Sequence, residues 1–211
     1  MTEISPTTTP PGDRYHHGNL RSALLAAAEL ELAENGAEQF SLRACARRAN
    51  VSHAAPAHHF GDTNGLLDAL AALGFARLNA AMLNEMDVSE KDPGAQLAAS
   101  SIGYVRYAVA NPHLFKMMFA SEMKPDASAE LVENADKAFS ILLDVVANRT
   151  GFAPLKTRDG WIDIAASWAS VHGYAHLLIN KKFEMLNPNA FEGHRDAIQK
   201  IALRAVPAGA I

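Results

Sequence analysis

Five of the nine histidines, His16, His17, His53, His58 and His59, fall within the first sixty residues. An imidazole can donate to a base edge or a phosphate, take up a proton between pH 5 and 8, or ligate a metal. Zinc is disfavoured here, because no cysteine pair or carboxylate stands at ligand spacing beside these histidines. The sole cysteine, Cys45, falls on an apolar helical stripe and reads as a small buried hydrophobe. Residues 14–60 also hold five arginines (14, 21, 43, 47 and 48) against four glutamates (29, 31, 34 and 38), and no lysine precedes Lys91. That inventory neutralises few phosphates, so counterion release supports only modest affinity for nucleic acid. A second constellation lies far along the chain. Trp168, His172 and His176 recur every four residues and share one helix face. A HxxxH spacing can bind metal, but the zinc-protease pattern needs glutamate directly after the first histidine, and Gly173 stands there. A buried, hydrogen-bonded histidine and a ligand-sensing histidine are the two readings left.

The elements that must position these groups read as helices throughout; the fold class expected is all-α, with about nine helices. The first spans about Asn19 to Asn35, with Leu20, Leu24, Ala28 and Leu32 on one face and Asn35-Gly36 as its stop. The second starts at Ser41 as N-cap, with Phe40 placed to staple onto Cys45. Asn50 suits a left-handed turn residue. Ser52 then caps a third helix ending near Phe60, which makes Pro56 its fourth residue and distorts its first turn. Helix, short turn, helix is the helix-turn-helix plan. Gly61 to Asn64 interrupts, and a long apolar helix fades at residues 88–92. Asp92-Pro93 opens another, Asn111-Pro112 the next, and 123–128 is a break. Further helices run from Leu131 to about Asn148, Thr157 to about Lys182, and Asn189 to Val206.

The N-terminal 1–14 is polar and rich in proline and threonine, and reads as a disordered tail with no signal peptide. No apolar run approaches the roughly 18 residues of a membrane span, so a cytoplasmic protein without a membrane is expected. The net charge of −4 excludes a protein that coats nucleic acid indiscriminately, yet permits a small reading head on an acidic body. No Gly-rich phosphate loop, nucleophile elbow or metal-ligand set supports an enzyme, and Asp163 is far along the helix from His172 for an acid–base pair. No cofactor is expected.

Residues 15–36 (YHHGNLRSALLAAAELELAENG), 40–52 (FSLRACARRANVS), 58–60 (HHF) and 65–70 (GLLDAL) resemble, in order, spacing and loop length, the DNA-binding domain of TetR-type transcriptional regulators. Residues 111–119 (NPHLFKMMF) and 168–179 (WASVHGYAHLLI) resemble the C-terminal domain of one subgroup, named for a Trp-His-Gly signature that here is Trp168, His172 and Gly173. The resemblance implies a homodimer whose two heads read a palindromic operator on double-stranded DNA. A small-molecule effector in the body would move the heads and release the DNA. The division expected is a head at 15–62, with its helix-turn-helix at 41–60, and a ligand-binding and dimerisation domain at 63–211. Three positions depart from the family's pattern. Ala57 replaces a phosphate-contacting tyrosine, Thr63 replaces a lysine at the start of the fourth helix, and Asn50 replaces a glycine in the turn.

On this reading DNA is met by Ser41, Arg43, Ser52, His53, Ala54, His58, His59 and Thr63, with helix N-termini offering amides to phosphate. One of Arg47 and Arg48 instead pairs with a glutamate such as Glu29 or Glu38. Pro56 is placed to touch a thymine methyl. DNA affinity is expected to rise as the pH falls toward 6, since histidines stand where lysines might. A mostly apolar effector would meet Tyr104, Tyr107, Phe115, Met118, Phe119, Phe139, Trp168 and His172. The last two helices form the dimer seam through Ile164, Ala165, Val171, Ala175, Leu178, Phe191, Ile198, Ile201 and Ala205, unless these residues cover the monomer's own core. A sensor or adaptor with weak or lost DNA binding is the alternative.

Overall fold

Most of the helices begin where a short polar side chain can take the orphan amides of a first turn. The computed structural model describes residues 17–120, 124–183 and 194–208, with side chains from Leu20 onward. The expected tail at 1–14, Phe191 and the first residues of the last helix lie outside the described residues. Described residues form nine α-helices and no strand: α1 (His17–Asn35), α2 (Leu42–Arg48), α3 (Ala55–Phe60), α4 (Thr63–Asp87), α5 (Pro93–Ala110), α6 (Pro112–Met118), α7 (Ala129–Thr150), α8 (Arg158–Ile179) and α9 (His194–Ala205), with a 3-10 turn at Pro154–Lys156 before α8. Ser41 Oγ accepts from the Ala44 amide at 3.5 Å, Asp62 Oδ1 from Gly65 at 2.9 Å, and Asp92 Oδ1 from Gly94 at 3.0 Å. Ser128 Oγ accepts from Leu131 at 3.2 Å and Thr157 Oγ1 from Gly160 at 3.1 Å.

The long α1 and the short α2 and α3 pack with the start of α4. Leu25, Ala28 and Leu32 of α1 bury with Cys45 of α2 and with Leu66 and Leu70 of α4. Asn50 takes the turn between α2 and α3 at φ 54°, a conformation its short polar side chain tolerates. The third helix starts later than the sequence suggests. It begins at Ala55, and Ser52 contributes only its carbonyl, which accepts from the Ala55 amide at 3.0 Å. Proline explains the shift: Pro56 now sits in the first turn, where a missing N–H leaves no bond unmade.

The remaining helices bury two apolar clusters, a larger one that continues into the head and a smaller one of Leu97, Val145, Val146, Ile164, Ala202 and Val206, with α5 packed against α4, α7, α8 and α9. By length and composition α4 could cross a membrane, but 56% of its apolar window is buried within the protein, the position of a core helix. Where α4 crosses α5, a Cβ added to Gly103 would lie 2.4 Å from the Ala81 carbonyl oxygen and 2.6 Å from Met82 Cα. Glycine therefore permits the closest approach of the two backbones.

The residues expected at a dimer seam divide. Ile164, Val171, Ala175 and Ile198 are buried inside the single chain, and so serve its own core. The uncovered side of α8 is instead Ile162, Ala165 and Ala169, continuing past Gly173 to Leu177. A helix apolar on nearly all sides gives no sequence signal for which side its own chain covers.

Candidate functional site

In the head, α2 presents Arg43 and Arg47 and α3 presents Ala57 and His58 as exposed residues, with Ser52, His53 and Ala54 exposed in the turn between. Ser41 is half-buried as the cap of α2, His59 is half-buried with its ring 6.3 Å from Phe60, and Thr63 is the half-buried first residue of α4. Pro56 is buried and so faces the head's interior, away from any groove. Arg48 is the arginine that pairs, but with Glu31 at 2.9 Å and with Glu34 rather than with Glu29 or Glu38. Glu29 pairs with Arg77 of α4 at 2.8 Å, clamping α1 onto α4. Arg21 is held by Glu130 of α7 at 2.8 Å and lies over the Phe60 ring. Among the described residues, Arg43 and Arg47 are the helix-turn-helix arginines left without an ion pair. Asp62, capping α4, sets a carboxylate next to Thr63, the position at which the family pattern has a lysine.

Within the body a cavity of about 660 Å³ opens between α4, α5, α6, α7 and α8. Tyr104, Met118, Phe119, Phe139, Trp168 and His172 all line it. Tyr107 and Phe115 do not; both are buried behind the wall, with the Tyr107 hydroxyl 3.7 Å from the Met118 sulfur and the Phe115 ring 5.5 Å from Tyr104. The polar centre is a hydrogen bond of 2.8 Å between the Tyr104 hydroxyl and His172 Nδ1. Burial, and then the neighbouring His176, hold the His172 imidazole below its ordinary value, and burial pushes the Tyr104 hydroxyl far above its own. Both are therefore neutral at pH 7. Aromatic rings enclose the pair: Phe119 lies 4.9 Å and His176 4.5 Å from His172, centroid to centroid. Cys45 is buried in the head, its thiol pushed up to about 11 by burial and by Glu31, and it takes no part in either region.

The cavity has members the sequence reading did not single out. Ser167 lines it beside Trp168; its signal is a hydroxyl on the inward stripe of Ile164, Val171 and Ala175. Ala37, Asn64 and Asp68 line it from the head side, and Lys124 from the stretch before α7. No local pattern announces these four, because only the docking of α7 on α4 brings them together. Asp68 accepts the Ser128 amide at 2.8 Å, which fixes that docking.

Residues 24–70 match the model of bacterial regulatory proteins of the tetR family, and residues 97–199 match the tetracyclin repressor-like C-terminal domain. The chain belongs to the TetR family. Its fold follows suit. A Rhodococcus sp. RHA1 protein of unknown function is 32% identical, over 92% of this chain and 95% of that one, with a TM-score of 0.72. The TetR family regulator PfmR from Thermus thermophilus is 18% identical over 89% and 99%, with a TM-score of 0.63. RolR, solved in complex with resorcinol, is 18% identical over 90% and 89%, with a TM-score of 0.56. No curated protein matches. As a member of the TetR family, the chain is a DNA-binding transcriptional regulator.

Proposed function

We propose that the chain is a repressor released from a palindromic operator by a small, mostly apolar effector bound in the α4–α8 cavity. The observation that carries this reading is that one cavity is lined both by body residues such as Trp168 and His172 and by Asn64 and Asp68 of the first turns of α4. Those turns pack against the head, so a ligand that moves them moves α3 as well. The division at 15–62 and 63–211 fits this arrangement, with α4 as the mechanical link. RolR, a relative in fold, holds resorcinol, which supports a small aromatic or apolar molecule here. Dimerisation through α8 and α9, with Ile162, Ala165, Ala169 and Leu177 facing the partner, sets two heads on one operator. The site of action is the cytoplasm, where the DNA lies.

DNA contacts are assigned to Ser41, Arg43, Ser52, His53, Ala54, His58, His59 and Thr63, together with Arg47. A gel shift with the protein's own upstream region tests the reading. A specific shift that an apolar ligand abolishes supports it, and a shift that no ligand alters refutes release. The scarcity of unpaired arginines and the carboxylate of Asp62 favour a second reading, a sensor that has lost its grip on DNA. Absence of any shift at low salt would select it. If the protein does bind DNA, Arg43→Ala and Arg47→Ala should each lower affinity at every sequence and reduce the salt slope by about one.

A further inference from the structure

Ser167 is 1% exposed and borders the cavity beside Tyr104, Trp168 and His172, and its hydroxyl makes no hydrogen bond among the described residues. Its cavity neighbours Ser100 and Ser101 differ, since both hydroxyls donate to the Leu97 carbonyl, at 2.9 Å and 2.8 Å. A cavity-facing hydroxyl with no protein partner is placed to bond a ligand group that enters the cavity.

The Tyr104–His172 pair offers a complementary surplus. If the tyrosine donates to Nδ1, then Nε2 carries the hydrogen and the phenol oxygen keeps free lone pairs. If Nδ1 donates to the phenol oxygen, the phenol hydrogen is free and Nε2 is an acceptor. Either tautomer leaves one donor and one acceptor unused.

Charge sorts to the far end. Asp68 and Lys124 are the carboxylate and ammonium that line the cavity, and both stand near the start of α7, where Asp68 meets Ser128. Phe139, whose ring lies 6.3 Å from Trp168, is eleven residues along α7 from Ser128, roughly 16 Å at 1.5 Å per residue. Between them the walls are Leu67, Ala71, Phe75, Leu131 and Ala135, all apolar.

We propose that the cavity takes an elongated, uncharged, mainly apolar molecule bearing a hydroxyl or carbonyl at one end, and that this group docks on Ser167 and the Tyr104–His172 pair. The proposal rests on the cavity being the effector site argued above. A carboxylate or ammonium at this end would lose its hydration with no counter-charge beside it.

The test uses the full chain without DNA and three probes of equal length, 1-decanol, decanoate and decylammonium, followed by tryptophan fluorescence and thermal shift. The alcohol should bind at least tenfold tighter than either ion. Ser167→Ala should weaken the alcohol roughly three- to tenfold, the value of one hydrogen bond, while leaving the melting temperature of the free protein unchanged or raised. Equal or tighter binding of either ion overturns the proposal, as does a Ser167→Ala variant with undiminished affinity for the alcohol. In both cases the cavity remains a ligand site and the repressor reading stands. Failure of all three probes to bind also overturns the proposal, and the repressor reading is then decided by the gel shift alone.

Discussion

His172 couples the interior of the body to pH. Its folded-state affinity for a proton is lowered by burial and then by His176, whereas in the unfolded chain it titrates at its ordinary value of about 6.5. Below that pH the unfolded state binds the extra proton first, so stability is full above about 6.5 and declines as the pH falls further. Thermal melts from pH 7.5 to 5.5 should show a falling midpoint. His172→Gln, which can still accept from the Tyr104 hydroxyl, should lose less across the same range. Equal losses in the two proteins would remove His172 as the cause. Arg48 shows a different lesson at this scale. It stands in a segment rich in candidate DNA contacts, yet it is consumed by Glu31, whose side chain is 4% exposed. The sequence identifies that one arginine of the adjacent pair turns inward. It does not identify the partner, because Glu29, Glu31, Glu34 and Glu38 are all within reach until the angle between α1 and α2 is known.

Among elements, the crossing of α4 and α5 depends on Gly103. Alanine would favour the helix by about 1 kcal/mol, but its Cβ would meet the Ala81 carbonyl and the Met82 backbone, which cannot rotate away as a side chain can. Overpacking of that kind destabilises by about 1–3 kcal/mol, so Gly103→Ala should lower the urea midpoint. A neutral or stabilised variant would show that the helices separate freely. The element that departs most from its sequence reading is α3. The sequence predicts a serine cap and a distorted turn, and the chain instead delays the helix until Pro56 falls within its first turn. His53 and Ala54 consequently stand in a turn before the helix, which changes how they could approach a groove. Helix starts at Ser41 and Asp92 are legible because each carries a capping side chain and, after Asp92, a proline that suits the first helical position.

For the molecule as a whole, the uncovered side of α8 carries the prediction. A Cβ at Gly173 meets nothing within 4 Å in the single chain. Gly173→Leu should therefore leave the monomer's packing intact and even favour its helix, while blocking close approach of a second copy along Ile162, Ala165 and Ala169. Sedimentation should show the wild type as a dimer and the variant as a folded monomer. A variant that remains dimeric would place the interface elsewhere.

The sequence by itself determined the helix count, the helix-turn-helix plan, the burial of Cys45 and the shared face of Trp168 and His172, because caps, turns and helical periodicity are local properties. Tertiary structure decided the rest. It set which face of α8 the chain covers, which glutamates hold Arg48, and that Ser167 lines the cavity while Tyr107 and Phe115 stand behind its wall. The physical reason is common to all three. An apolar or charged residue is legible as needing a partner, but which partner it meets depends on the angles at which helices distant in sequence cross.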